Sequence, residues 1–446
     1  MATTTTTAPA APRFRFRLPE SVSVLRERDF RVVWTGQAIS MVGTWMQMVA
    51  QGYLVLQLWN SAFALGALNF ANAAPSLIVM LFGGVLADRM EKRRILIVTQ
   101  AVMMVGALAI GVAVLTDAVE YWMLIVATVV LGIAFGYDMP AYGALMPELV
   151  PPDKIGQAVA LNSSTFHGTR MVGPAVAAAA VGAFGLAAAY FLNAASFVAV
   201  ILSLLIIRHR PRPNTAMQHM SAIEGLKAGL AHVRGRPNVR TMLLLTGLNT
   251  TFLFPMSAVM TPFYVKNVLH EGPGVLGLAW AGSGLGSLLG ALVLIWWNKE
   301  WRVFRICLGA ATGPVALVIL AVTRQPWVAI AAFPFLSIAF SSQLGLFQTM
   351  IQESTPAEYR GRVMSLNGIT FNGTMPIAAL VASGAAAYAG LPAVMMGCAV
   401  LFGLTSAAVL RFAGGGIGRV VAESHGEFRA LSAEAVAHGA PDHRPG

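Results

Sequence analysis

The chain is built of long apolar blocks separated by short polar segments, and this pattern limits it to one kind of fold. A helix needs about 20 apolar residues to cross a bilayer whose hydrocarbon core is about 30 Å thick. A soluble protein with a large core is the alternative, but only 11% of the residues are charged, against about 25% in soluble domains. We therefore predict an all-α membrane protein with twelve transmembrane helices, at 32–57, 63–87, 94–115, 121–145, 160–183, 186–207, 239–265, 273–297, 303–323, 327–350, 361–388 and 391–413.

The distribution of Lys and Arg orients these spans in the membrane. If both termini are cytoplasmic, 27 of the 30 Lys and Arg residues fall in cytoplasmic segments. The outer loops hold only Lys266 and Arg324, and Arg170 lies inside a span. Because positive loops resist translocation, this asymmetry predicts a multi-pass protein of the cytoplasmic membrane with both termini inside. The net charge of +11 then reflects contact with anionic membrane lipids, and no nucleic-acid partner is expected.

Two stretches of the chain repeat each other without gaps. Residues 145–185 and 350–390 match at a constant offset of 205, with the identities Glu148/Glu353, Leu161/Leu366, Asn162/Asn367, Thr165/Thr370, Phe166/Phe371, Gly168/Gly373 and Thr169/Thr374. We therefore predict a cytoplasmic arm at 1–30, six-helix halves at 31–207 and 239–413, a cytoplasmic loop at 208–238 and a disordered cytoplasmic tail at 414–446. Parallel halves of this kind are typical of transporters, whose substrate site lies between the halves at mid-membrane.

A charged turn, "GGVLADRMEKRR" at 83–94, interrupts the apolar pattern between the second and third spans. It resembles the motif that joins these spans in the major facilitator superfamily, and the matching residues are Gly84, Asp88, Arg89, Arg93 and Arg94. That family usually has Gly where this chain has Glu91. The resemblance implies a cytoplasmic gate: Asp88 caps a neighbouring helix N-terminus, and the arginines pair with carboxylates to latch the halves. The alternative is a simple positive anchor.

Three further segments, at 28–47, 146–175 and 359–366, resemble the enterobactin-exporter-like group, also called transmembrane secretion effectors. Tyr142 stands where that group often has Arg. The group exports siderophores, macrolides and other amphiphilic compounds by proton antiport. The resemblance implies a monomeric secondary transporter with a small-molecule substrate and protons as the coupling ion. An importer on the same fold and a non-transporting membrane sensor are the alternatives.

Polar residues within the spans indicate where a substrate cavity would lie, because hydrocarbon makes such residues costly. In the first span a spacing of three to four residues places five polar side chains on one helix face, namely Gln37, Ser40, Thr44, Gln47 and Gln51. The other cavity candidates are Asn69, Asn249 and Asn367. The alternative for each is a hydrogen bond between packed helices.

Two charged residues lie deepest in the predicted spans. As a hypothesis, Asp138 is the best candidate to carry a proton, because a protein environment can make a carboxyl group easier to protonate near neutral pH. Proton coupling itself is implied mainly by the family resemblance. Arg170 is a cavity candidate that could bind an anionic substrate or serve as a counter-ion, and His167 is a second proton candidate. The alternative is that Asp138 pairs structurally with Arg170 or with the loop charges.

The sequence lacks the motifs that would indicate catalysis. It contains no H-E-x-x-H, no G-x-S-x-G, no Cys/His cluster and no Gly-Lys dipeptide of an ATP-binding loop. We therefore expect no enzymatic activity, no catalytic residue, no cofactor and no metal site.

Overall fold

The regular structure of this protein is helical throughout the described part of the chain. The computed structural model describes residues 20–89, 91–208, 222–296 and 301–412. Its α-helices are α1 (Arg28–Leu58), α2 (Ala62–Arg89), α3 (Lys92–Leu115), α4 (Tyr121–Leu145), α5 (Ile155–Phe184), α6 (Leu186–Ile206), α7 (Ala222–Arg234), α8 (Pro237–Phe252), α9 (Thr261–Asn267), α10 (Pro273–Trp296), α11 (Arg302–Val322), α12 (Pro326–Glu353), α13 (Ala357–Ala389) and α14 (Leu391–Phe412). Short 3₁₀ turns lie at Glu20–Arg26, Met146–Leu149 and Pro152–Lys154.

Helix lies over every segment that the apolar pattern predicts. The segment predicted at 239–265 is broken, because α8 passes through a π-helical turn at Pro255–Val259 before α9 begins. Within the described residues, ten helices are long and apolar enough to cross a membrane. The helices α1 and α5 are outside this set, since their many polar residues lower the mean hydropathy. The predicted tail and the first 19 residues of the predicted arm lie outside the described residues.

The helices pack as two groups that meet mainly at two helix pairs, with a smaller contact between α1 and α9. In the first group α1 packs against α5 and α6, while α4 packs against α2 and α3. In the second group α12 packs against α8, α10 and α11, and α14 packs against α11. The groups meet where α2 contacts α13 and where α5 contacts α10. The α2–α13 contact is close, because a Cβ atom on Gly66 would lie 1.8 Å from the Ser383 hydroxyl oxygen.

The same glycine turn occurs once in each group. Gly185 joins α5 to α6 with a φ angle of 81°, and Gly390 joins α13 to α14 with a φ angle of 80°. Glycine suits both positions because a side chain rarely adopts a positive φ. The two glycines are 205 residues apart, which is the offset of the sequence repeat. The repeat is therefore expressed in backbone geometry as well as in sequence.

The apolar core is arranged differently at the two ends of the bundle. We call the end that carries Lys92 and Arg302 the basic end, and the end that carries Leu56 and Lys266 the opposite end. One continuous core runs from the opposite end towards the middle and joins both groups, with members including Leu54, Leu65, Val265 and Phe333. At the basic end the two largest described cores are separate, one in the first group (including Leu96 and Leu145) and one in the second (including Met242 and Met350).

Candidate functional site

Asp138 is buried between α3 and α4 in the first group, with only 4% of its surface exposed. The hydroxyl of Thr99 donates a hydrogen bond to its Oδ1 at 2.7 Å, and the amide of Gln100 donates to the same oxygen at 3.0 Å. Both donors are neutral. The carboxyl group therefore lies in an apolar region without a cationic partner among the described residues.

The equivalent position in the second group carries an amide. Gln343 on α12 follows Asp138 by 205 residues, the offset of the repeat. Its Nε2 donates to the Ile306 carbonyl oxygen at 3.3 Å, and its Oε1 accepts a hydrogen bond from Asn249 at 2.9 Å. The cavity candidate Asn249 is thus fully buried and held against α12. Gln343 is not among the residues predicted from the sequence, although the offset of 205 residues from Asp138 identifies it.

The polar side chains on one face of α1 differ in their contacts with neighbouring helices. Gln47 is buried and accepts a hydrogen bond from Asn193 of α6 at 2.7 Å. Gln51 donates to the Thr128 hydroxyl of α4 at 3.0 Å. Thr44 is exposed, and the half-buried Gln37 has a buried Oε1 without a hydrogen-bond partner. Gln47 and Gln51 thus join α1 to neighbouring helices. Gln37 keeps an acceptor oxygen without a partner, and the Thr44 hydroxyl, which donates to the Ser40 carbonyl oxygen, can still accept a hydrogen bond.

The structure describes the side chains of some of the remaining cavity and proton candidates. Asn69 of α2 and Asn367 of α13 each have a buried Oδ1 that accepts no hydrogen bond. These helices pack against each other across the two groups. His167 and Arg170 lie on α5, but their side chains are outside the described part of the structure.

The charged turn after α2 is described only from Glu91 onward at the side-chain level. Gly84, Asp88 and Arg89 belong to the last turns of α2, and their side chains lie outside the description. Glu91 pairs with Arg94 at 2.9 Å, and the Arg93 guanidinium donates to the Leu205 carbonyl oxygen of α6 at 3.1 Å.

Two further ion pairs stand in equivalent places at the basic end. Lys92, the first residue of α3, pairs with Glu148 in the turn after α4. Arg302, the first residue of α11, pairs with Glu353 at the end of α12 at 2.6 Å. Glu148 and Glu353 are one of the identities in the repeat. Each pair lies within its own group, so neither bridges the two groups.

A bridge between the groups does occur at the opposite end. The Lys266 ammonium of α9 donates a hydrogen bond to the Leu56 carbonyl oxygen near the end of α1. Nearby, a Cβ atom on Gly52 of α1 would lie 3.0 Å from the ring of Pro262. These contacts and the continuous core close the bundle at this end.

Comparison with known proteins agrees with this arrangement. Residues 20–430 match the family described as transmembrane secretion effector. This chain belongs to that family. Relatives of this chain include transporters of the major facilitator type, so the resemblance to that superfamily and to the secretion-effector group is confirmed.

Several curated relatives are similar over most of their length. An uncharacterised transporter of the major facilitator type, YfiS of Bacillus subtilis, is 26% identical over 76% of this chain and 82% of its own. Macrolide efflux protein A of Streptococcus pyogenes is 23% identical over 79% of this chain and 88% of its own. The enterobactin exporter EntS of Escherichia coli O1:K1 / APEC is 26% identical over 76% of this chain and 80% of its own. The chain is therefore a multi-pass membrane transporter.

The fold also has close counterparts among solved structures. The nucleoside transporter NupG superposes with a TM-score of 0.71 at 10% identity, covering 86% of this chain and 100% of NupG. At that identity the likeness concerns the fold alone. It confirms the all-helical fold that the sequence predicts, while the number of twelve crossing helices stays a prediction.

Proposed function

We propose that this protein is a twelve-helix secondary transporter that exports amphiphilic small molecules in exchange for protons. In this proposal α1 and α5 cross the membrane together with the ten apolar helices, and 31–207 and 239–413 form two six-helix halves. The basic end and both termini are cytoplasmic, the membrane is the cytoplasmic membrane, and the transporter acts as a monomer.

The distribution of the apolar core carries this proposal. Alternating access needs two arrangements in which the halves close first at one end and then at the other. Here one core and the Lys266–Leu56 contact join the halves at the opposite end. The two largest described cores at the basic end are separate. This is the packing expected of a carrier that is closed to the outside and open to the cytoplasm.

The substrate class is inferred from the relatives and from the polar groups of the helices. Two of the relatives are named for macrolide efflux and for enterobactin export. Gln37, Asn69 and Asn367 keep acceptor oxygens without protein partners, and Thr44 is exposed. Neutral acceptors and hydroxyls among apolar walls suit an uncharged or weakly charged amphiphile. Arg170 remains the candidate for an anionic group on such a substrate.

Proton coupling is assigned to Asp138, with His167 as the second candidate. A charged carboxylate is unfavourable in an apolar site unless a cation or several donors compensate it. Asp138 has two neutral donors, and the same position in the second half is filled by the uncharged Gln343. The packing of the helices therefore accepts a neutral group there, which favours a carboxyl that binds and releases a proton during transport.

The charged turn is assigned to the cytoplasmic gate. In the cytoplasm-open state of the proposal, the described ion pairs of the basic end stay within each half. We expect Asp88, Arg89, Arg93 and Arg94 to contact the other half only when the basic end closes, with Gly84 permitting the close approach.

The test is transport by purified protein in liposomes with an imposed pH gradient. Erythromycin and a catecholate siderophore are the substrates, added outside. Antiport predicts accumulation when the liposome interior is acidic, because protons leaving drive substrate entry. Symport by an importer predicts accumulation only when the exterior is acidic. Asp138→Asn should lose accumulation driven by the gradient while retaining exchange of labelled for unlabelled substrate.

The matched control is Asp153→Asn, which removes the same charge from an exposed turn before α5. It should transport like the wild type. Accumulation that persists in Asp138→Asn would exclude this residue as the proton carrier. Accumulation under an acidic exterior would establish the importer instead.

A further inference from the structure

A cavity lies far from the Asp138 region, at the opposite end of the second group. Its volume is about 490 Å³, within the range of pockets that hold small organic ligands. It is an open pocket lined by α9, by the segments that precede α10 and α12, and by the start of α14. Its lining residues include Phe263, Asn267, His270, Arg324 and Leu391. No residue that we assign to proton coupling or to the gate is among them.

The polar side chains of this cavity supply hydrogen-bond donors and no carboxylate. Asn267 has a buried Nδ2 that donates to no described group. Arg324 uses Nη1 to hold the carbonyl oxygens of Ala321 and Thr323, at 3.1 and 3.0 Å. Because a guanidinium carries five N–H donors in a fixed fork, this leaves the rest of the group for a ligand.

The start of one helix also borders the cavity. The helix α14 begins at Leu391, which lines the cavity, and its next residue, Pro392, has no N–H. The remaining N–H groups at a helix N-terminus carry partial positive charge, which is compatible with an anion. His270 adds an exposed imidazole, whereas the neighbouring Glu271 does not line the cavity.

The rest of the wall is apolar and includes one aromatic ring, from Phe263. We propose that this cavity binds an amphiphile with a flat apolar body and a single carboxylate, which Arg324 and Asn267 hold. A charge-assisted bond to a guanidinium is the strong element of such a site. The proposal rests on the proposed function only for the side of the membrane to which the cavity opens, which is the outside.

The test is equilibrium binding of radiolabelled 2-naphthoate to the purified full chain in nanodiscs, with empty nanodiscs subtracted. We expect a saturable component of binding that depends on Arg324. Arg324→Gln should weaken binding about tenfold or more, and Asn267→Leu should weaken it less, since it removes a neutral donor. The neutral analogue 2-naphthalenemethanol should bind the wild type about tenfold more weakly than naphthoate does. Its affinity for Arg324→Gln should equal its affinity for the wild type.

Arg240→Gln is the charge-matched control, because Arg240 is exposed at the start of α8, at the basic end. It should bind naphthoate like the wild type. Asp138→Asn should also bind normally, so a failure of proton coupling would leave this result unchanged. Equal naphthoate affinity in wild type and Arg324→Gln, equal affinity for acid and alcohol, or no uptake beyond that of empty nanodiscs would each overturn the proposal.

Discussion

At the scale of single residues, variants of Asp138 test whether its carboxyl group has a structural role or a role in transport. Thr99 and Gln100 both donate to its Oδ1. Asparagine keeps that oxygen and nearly the same volume, so we expect Asp138→Asn to change the free energy of unfolding by less than about 1 kcal/mol. Asp138→Leu leaves the Gln100 amide without its acceptor, and we expect a loss of about 1–3 kcal/mol. Thermal unfolding in one detergent compares the two variants.

The same comparison tests the structural alternative for this residue. If Asp138 were held as an anion by charges elsewhere in the protein, both variants would be destabilised to a similar extent. A stable Asp138→Asn variant that no longer couples protons to transport would separate the two roles. The neutral Gln343 at the equivalent position is the reason to expect that outcome.

At the scale of helices, the ion pairs of the basic end explain why two helices begin with a cation. A positive side chain at a helix N-terminus is unfavourable with respect to the helix dipole. Lys92 is compensated by Glu148, and the two side chains are 8% and 31% exposed. A double-mutant cycle with Lys92→Met and Glu148→Leu should give a coupling free energy of about 1–3 kcal/mol.

The adjacent pair Arg94–Glu91 is the control for that cycle. Its arginine side chain is 78% exposed, and exposed pairs contribute about 0–1 kcal/mol. Coupling of the same size in both cycles would show that burial does not distinguish the two pairs.

A third prediction concerns the contact between α1 and α9. The Lys266 ammonium lies at the C-terminal end of α1, where a cation is favourable, and it joins the two groups of helices. We expect Lys266→Met to increase the population that is open at the opposite end. Spin labels at Leu58→Cys and Gln325→Cys, in a Cys307→Ser/Cys398→Ser background, should give a shorter distance in the closed state and a longer one in the open state. Lys266→Met should raise the fraction of molecules with the longer distance. Lys154→Met, which breaks a pair with Glu27 within the first group, should leave the distances unchanged.

The helix positions could be predicted from the sequence because each depends on its own run of apolar residues. The glycine turns at Gly185 and Gly390 are also local, because each depends on one residue that tolerates a positive φ. The partners of the polar side chains could not be predicted in this way. Gln47 contacts Asn193, 146 residues away, and Lys92 contacts Glu148, 56 residues away. Spacing within one helix identifies a face, but only the packing of the bundle decides which helix meets it.

At the scale of the whole molecule, the two-half architecture depends on whether α5 crosses the membrane. Its 30 residues span about 45 Å, which exceeds the hydrocarbon thickness of about 30 Å. It packs against α1, α6 and α10, and its exposed side chains include the large apolar Val159, Val172 and Val176. A crossing α5 is also required by the repeat, because the matching helix α13 is among the ten apolar helices.

The two ends of α5 should therefore lie on opposite sides of the membrane. A membrane-impermeant maleimide should label Phe184→Cys in intact cells and label Asp153→Cys only after lysis, in the Cys307→Ser/Cys398→Ser background. Both positions are exposed at the surface of the protein, so access depends on the side of the membrane alone. Leu115→Cys, at the end of α3 and 67% exposed, should behave like Phe184→Cys. Labelling of both ends of α5 from the same side would mean that α5 does not cross, and the two halves could not then be related by a parallel repeat.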